Sequence, residues 1–285
     1  MKFFKSLTLL ITAIIIFSCN KSSSQTITQT SSDTTIKPVD KGWTFDTIPL
    51  WADEFDVDGK PDSTKWSYDI GGSGWGNHEK EFYTEAQNVT VHNGILSIEA
   101  RKENAGGMNY TSARMVTKNK GDFLYGRFEI RAKLPTGKGL WPAIWMLPTD
   151  WAYGDWPKSG EVDIMEQVGF DPDSIHISTH TGAFNWTINT QVTNVINVPT
   201  ATTDFHVYRI DWTPYAIRGF IDGVQHFQFI NDGKGPSHWP FDKRFHILLN
   251  IAVGGDWGGQ QGIDDSIFPA KMDVDYVRVY KMRTP

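Results

Sequence analysis

Gly160-Glu161-Val162-Asp163-Ile164-Met165-Glu166 places three carboxylates within six residues, interleaved with Val, Ile and Met. On a strand, successive side chains point to opposite faces. Glu161 and Asp163 then share one face, and Val162 and Ile164 share the other. Strict alternation would put the next acid at 165, but Met165 stands there and Glu166 follows. A β-bulge absorbs one extra residue, and a bulge here returns Glu166 to the acidic face. Like charges gathered on one face repel, and the repulsion drives neighbouring pKa values apart. Two carboxyl groups, one ionised and one protonated, are what glycosidic-bond hydrolysis uses. An exposed edge strand with solvated acids, or a calcium site, fits this stretch equally well, so the rest of the chain has to separate the readings.

The 285 residues suit one large β domain or two small ones with extensions. Lys and Arg number 27 against 33 Asp and Glu, with no basic tract. This argues against nucleic acid as a partner, because neutralising phosphates needs clustered cations. Twelve Trp and 26 Gly point to a β-sandwich with aromatic binding surfaces. Some of that Trp must also fill the core.

The only cysteine is Cys19, so no intrachain disulfide forms. It ends a basic start (Lys2, Lys5) and an apolar run from Leu7 to Phe17, too short to span a bilayer comfortably. Ser18-Cys19 at that point resembles a bacterial lipoprotein signal, which implies cleavage before Cys19 and lipid on its thiol. An ordinary secretory signal, or a cytosolic protein with an apolar start, is the alternative. Residues 20–41 are rich in Ser and Thr and too polar to fold alone. The expected layout is a signal peptide over 1–18, a flexible tether over 19–42 and a folded domain over 43–285. Such a protein would work at the bacterial cell envelope, lipid-anchored and probing outward as a monomer.

From Trp43 onward the pattern is short β runs with turns between them. Residues 89–100 read as a hairpin about Asn93-Gly94, and 218–227 as another about Asp222-Gly223. Residues 125–134 alternate, with Phe128, Ile130, Ala132 and Leu134 on one face. Residues 245–253 are apolar enough to be buried on both faces. Residues 272–280 close the chain on an alternating strand. No stretch sustains a helical period. The fold class is all-β, a jelly-roll sandwich of two antiparallel sheets.

Trp141 and Trp145 share a face with Ala143 and make a flat platform of the kind pyranose rings stack on, though both could be core. Pro142, which lacks an N–H, argues against an unbroken central ladder there. The glycines of 71–76 are no phosphate loop, since no Lys-Ser or Lys-Thr follows; they present Trp75, Asn77 and Glu79. His176, Ser178 and His180 share a polar face. Zinc is disfavoured there by the spacing and the lack of Cys. A histidine bonding to a sugar or to the acids fits better.

These stretches together resemble glycoside hydrolase family 16, and within it laminarinase-like endo-β-1,3-glucanases. The resemblance rests on Trp51-Ala52-Asp53-Glu54-Phe55, Trp75-Gly76-Asn77-His78-Glu79, Gly139-Leu140-Trp141-Pro142-Ala143-Ile144-Trp145, the acidic stretch, Val253-Gly254-Gly255-Asp256-Trp257 and Val274-Asp275-Tyr276-Val277-Arg278-Val279-Tyr280, in that order. It implies a concanavalin A-like lectin/glucanase fold and a retaining hydrolase of β-1,3-glucan. By the resemblance Glu161 is the nucleophile, Glu166 the acid/base, and Asp163 the residue that tunes the nucleophile. Asn77, Glu79, Arg114, Trp141, Trp145, His180 and Trp257 would contact sugar. No cofactor would serve catalysis. A structural calcium would take Glu54, Gly94 and Asp275. Asp256 departs from the Asn common in the family. A cell-surface glycan binder without hydrolysis, or a cell-wall transglycosylase, is the alternative. Mixed-linked glucans and sulfated galactans compete with laminarin as substrate.

Overall fold

The computed structural model of the chain describes residues 37–284. Cys19 and the leader lie outside them, as does most of the tether.

Two eight-stranded sheets form the body. The sheet carrying the acidic stretch, here the site sheet, has the order Val192–Asn197, Asp171–His180, Glu161–Val168, Leu140–Pro148, Phe245–Val253, Arg114–Val116, Ser67–Tyr68, with Asp122–Phe123 also on Phe245–Val253. The opposite sheet has the order Val224–Ile230, Ala216–Ile221, His206–Trp212, Gly126–Lys133, Ala270–Tyr280, Ile95–Ala100, Val89–His92, with Trp51–Asp53 also on Ala270–Tyr280. Central neighbours are distant in sequence and antiparallel, as in a jelly roll: Gly126–Lys133 lies between His206–Trp212 and Ala270–Tyr280. Among the described residues the only helical pieces are the 3₁₀ turns Trp186–Ile188 and Asp265–Ile267.

The core is where the inward faces meet. Gly126–Lys133 alternates buried and half-buried residues throughout. Its Phe128, Ile130 and Ala132 join Ile144, Met146, Val162, Ile164 and Met165 of the site sheet in one cluster. Phe245–Val253 is buried at every position, as its composition demands. Both hairpins turn where expected. Asn93 and Gly94 have φ of 53° and 77°, Asp222 and Gly223 48° and 81°, the left-handed pair that a two-residue type I′ turn requires.

Pro142 does not interrupt the sheet. Leu140–Pro148 is a central strand, with Pro142 opposite Ile251 on one side. On its other side, pairing with the acidic strand begins only at Ala143. The missing N–H therefore falls beyond the end of that ladder. At the edge of the body, Thr44–Phe45 pairs with Met282–Arg283, and Arg218 Nη2 donates to Asp40 at 2.6 Å. Packed contacts thus reach back a few residues into the stretch read as tether.

Candidate active site

The strand Glu161–Val168 carries the bulge that the misplaced Met165 implies. Glu161, Asp163 and Glu166 stand opposite His180, Ser178 and His176, which alternate along one face. On the other side Met165 pairs with Ile144 and Asp163 with Trp145, which leaves Ile164 as the residue without a partner. Ile164 and Met165 are both fully buried, so the bulge doubles the apolar contribution to the core and keeps all three acids on the far face. Gly160 lets the strand begin here. Its φ is 90°, and a Cβ on it would lie 2.8 Å from Pro240 and 2.9 Å from Phe241.

Each glutamate is held by an indole. Trp156 Nε1 donates to Glu161 Oε2 at 2.8 Å, and Trp141 Nε1 donates to Glu166 Oε1 at 3.0 Å. The strand positions of the two glutamates are four residues apart on the neighbouring strand, roughly 13 Å at the backbone. Between them Asp163 is almost wholly buried, and its Oδ2 has no hydrogen-bond donor. His180 Nε2 sits 3.3 Å from that oxygen and 3.8 Å from Glu161 Oε1.

Burial first, and then the charge of Asp163 beside them, pushes the carboxyls of Glu161 and Glu166 up to about 8. Burial does the same to Asp163, also to about 8, against a hydrogen bond with Glu161 that lowers it. Three such groups in contact titrate as a set, and at neutral pH the set retains protons. Asp163 lies beside Glu161, and no donor reaches its Oδ2. Glu161 has what an anion needs, an indole N–H and a nearby imidazole. Glu166 has an indole N–H, with His180 farther off, and burial and the repulsion of Asp163 outweigh both and favour its protonated form.

A wall of aromatic and polar side chains adjoins the acids. Arg114 is sandwiched between the rings of Trp75 and Trp145, at 4.8 and 4.7 Å, and donates through Nε to Asp69 at 3.0 Å. Trp145 Nε1 donates to Asn250 Oδ1 at 2.7 Å. Asn77 donates to Glu79 at 3.1 Å. The loop carrying both closes against Gly255, whose φ is 77°. A Cβ there would lie 3.1 Å from Asn77 O, 3.4 Å from Glu79 Cγ and 3.5 Å from Trp141 Cζ3. Trp257 packs edge-on to Trp141 at 5.4 Å and to His176 at 4.7 Å. The structure therefore brings every expected sugar-contacting residue to the site sheet, around the acidic strand.

Residues 76–278 match the family described as Glycosyl hydrolases family 16. The chain belongs to that family. A beta-glucanase of Rhodothermus marinus is 56% identical over 241 residues, covering 81% of this chain and 84% of that protein. The X-ray structure of the laminarinase from Rhodothermus marinus superposes with a TM-score of 0.83 at 52% identity, covering 86% of this chain and 100% of the other. SCLam, a non-specific endo-β-1,3(4)-glucanase from family GH16, superposes at 0.79 with 44% identity, covering 86% and 94%. A mutant of SCLam holds a 1,3-β-D-cellobiosyl-glucose at its active site.

Within this family 16 chain, two of the three expected calcium ligands have side chains engaged by arginines. Both carboxylate oxygens of Glu54 accept from Arg278, at 2.8 and 2.7 Å, and Asp275 accepts from Arg131. Side-chain oxygens already neutralised by guanidinium groups do not fit a calcium site. Among the described residues, the only cluster of three or more His, Cys, Asp or Glu whose donor atoms converge is Glu161, Asp163 and His180, within 4.8 Å of one another. Those atoms belong to the proton arrangement above.

Four residues at the site escaped the sequence reading: Trp156 as a clamp, Trp75 as a partner of Arg114, and Tyr83 and Asn250 behind Trp145. Asn250 left a signal, an amide in the middle of an otherwise apolar run. Trp156 left only its place in a tryptophan-rich loop.

Proposed function

We propose that this chain is a retaining endo-hydrolase of internal β-1,3-glucosidic bonds in laminarin-type glucan. The observation that carries the reading is the pair of glutamates on a bulged strand, each oriented by an indole N–H, with a buried Asp163 between them. Likeness to laminarinases over most of the chain supports the choice of substrate. Glu161 attacks the anomeric carbon as the glycosidic C–O bond breaks, and the proton of Glu166 passes to the leaving oxygen. Water then gives a proton to Glu166, and its oxygen displaces Glu161 from the anomeric carbon. Asp163 and His180 lie beside Glu161, which attacks as the carboxylate and regains that charge when water releases the sugar. A protein that only held glycans would use the tryptophans and have no need of a carboxyl kept protonated.

The test is a reducing-end assay with product sizing on laminarin, lichenan, agarose and carrageenan. Laminarin should be cut fastest, into oligosaccharides, with the β-anomer appearing first by NMR. Glu161→Gln and Glu166→Gln should bind laminarin without cutting it. Cleavage of agarose or carrageenan in place of laminarin, or near wild-type hydrolysis by either variant, overturns the reading. We propose further that Cys19 carries lipid and holds the enzyme at the cell envelope. Incorporation of labelled fatty acid, lost in Cys19→Ala, tests that.

A further inference from the structure

Behind the sugar-binding wall lies a second pair of acids that the mechanism does not use. Glu81 has no exposed surface and Glu79 almost none. Glu81 Oε2 accepts the backbone N–H of Val253, the last residue before the glycine loop that carries Trp257. Its Oε1 is buried and meets no N–H or O–H donor. The group Glu81 faces is the Glu79 carboxyl. Two carboxyl groups in contact, away from water and without a cation between them, hold together only through a proton.

Glu79 is placed to be the acceptor. Tyr83 Oη donates to its Oε2 at 2.9 Å, and Asn77 Nδ2 to its Oε1 at 3.1 Å. Asn250 Nδ2 donates to Tyr83 Oη at 3.0 Å, and Asn250 Oδ1 takes the Trp145 indole N–H at 2.7 Å. One hydrogen-bonded chain thus runs from Glu79 through Tyr83 and Asn250 to the Trp145 platform, with the Glu81 carboxyl, unpartnered at Oε1, at its Glu79 end. The charged and titratable groups around Glu81 are Glu79 and Tyr83 from its own segment, with Arg114 acting on Tyr83 from the facing strand. Burial first, and Glu79 second, hold the Glu81 carboxyl well above the usual range, in accord with the missing donor at Oε1.

We infer that Glu81 is a positioning residue for the sugar-binding wall: as a neutral acid it donates to Glu79 and accepts from Val253, fixing Glu79, Tyr83, Asn250 and Trp145 as one array and the Trp257 loop beside it. The inference rests on the proposed glucanase reading. It adds a residue that touches no substrate and acts through those that do. A carboxamide reproduces both hydrogen bonds of a neutral acid, whereas an apolar side chain of similar size leaves the Val253 N–H unpaired and offers Glu79 no donor from that side.

Steady-state kinetics on laminari-oligosaccharides separate the possibilities. Glu81→Leu should raise KM about 10-fold with kcat within about 3-fold, the sign of lost binding common to ground and transition states. Glu81→Gln should restore wild-type KM. Tyr83→Phe cuts the same chain one link further on, and should repeat the KM effect even where Glu81→Leu folds poorly. Infrared difference spectra of wild type against Glu81→Gln, near neutral pH, should show the C=O stretch of a protonated carboxyl. Wild-type KM in Glu81→Leu and Tyr83→Phe overturns the inference. So does a Glu81→Gln variant as impaired as Glu81→Leu, or the absence of the carboxyl band. A wild-type protein that fails to cut laminarin overturns the function and this role together, whereas laminarin cleavage with unmoved KM values removes this role alone.

Discussion

Acids alternate with apolar residues on both sheets, yet they keep opposite company. On the opposite sheet Asp211 takes two hydrogen bonds from Arg127 at 2.8 and 3.0 Å, Glu54 takes two from Arg278, and Lys133 lies 3.4 Å from Asp273. On the site sheet the donors to Glu161 and Glu166 are indoles, and the only basic side chain within ion-pair distance of the acidic strand, among the described residues, is His180. A guanidinium settles the charge of its carboxylate, holding the group ionised at any ordinary pH. An indole N–H orients one oxygen and leaves the protonation state free to change. The same period-two pattern therefore builds a salt-bridged surface on one side and proton-transfer machinery on the other.

The largest expected effect breaks the machinery outright. Glu161→Gln keeps the shape and the Trp156 hydrogen bond but removes the carboxylate proposed as nucleophile. Its kcat on laminarin should fall at least about 1,000-fold, with binding retained in calorimetry. The clamps come next. Trp156→Phe and Trp141→Phe each remove one charge-assisted hydrogen bond of about 1.5–3 kcal/mol, so kcat should fall about 10- to 100-fold. Trp141→Phe has a second signature. Wild-type kcat should decline as pH rises through about 8, where Glu166 loses its proton. The Trp141 N–H lowers the pKa of Glu166, so its removal should move that alkaline limb upward in a pH–rate profile. A limb that stays in place would mean that Glu166 is not the group titrating there.

A smaller effect appears in stability. Burial raises the Glu166 carboxyl above its unfolded value, so the folded state binds that proton more tightly. Its contribution is fully present below the unfolded pKa and is lost as pH rises toward about 8. Glu166→Gln, neutral throughout, should therefore melt close to wild type near pH 4 and higher than wild type near pH 8. Because the three carboxyls titrate together, the gain should be about 1–3 kcal/mol, or roughly 3–10 °C in Tm. Scanning calorimetry at the two pH values measures it, and an equal difference at both would refute the electrostatic origin.

Most of this comparison was legible in the sequence where strand periodicity governs. The alternation about Phe128, the bulge implied by Met165 and the turns at Asn93-Gly94 and Asp222-Gly223 all follow from local geometry. So does the common face of Trp141 and Trp145. Legibility failed where partners are remote in sequence or come from irregular loops. Trp156 reaches Glu161 from a loop, and Glu81 meets Val253 across 172 positions. The pairing of Glu54 with Arg278 spans 224. Period-two reading says which face a carboxylate occupies and cannot say which donor waits there. Pro142 misled for a related reason, since whether a missing N–H matters depends on how far the neighbouring strand extends.

The smallest expected effect tests the salt-bridged side. The Arg278 hydrogen bonds lower the pKa of Glu54, the reverse of Glu166. Its contribution is present above the unfolded pKa and is lost as pH falls through the folded value. The Glu54 side chain is 38% exposed, so solvent screens the pair and Glu54→Gln should destabilise by only about 0.5 kcal/mol at neutral pH. That corresponds to about 1–2 °C in Tm, vanishing below about pH 4. Glu54→Gln and Glu166→Gln should thus diverge from wild type in opposite directions on the alkaline side and converge on the acidic side. If Glu54→Gln also gained stability with rising pH, the two sheets would not differ in how they hold charge. The acids of the active site would then owe their state to the protein as a whole, and not to burial without a guanidinium beside them.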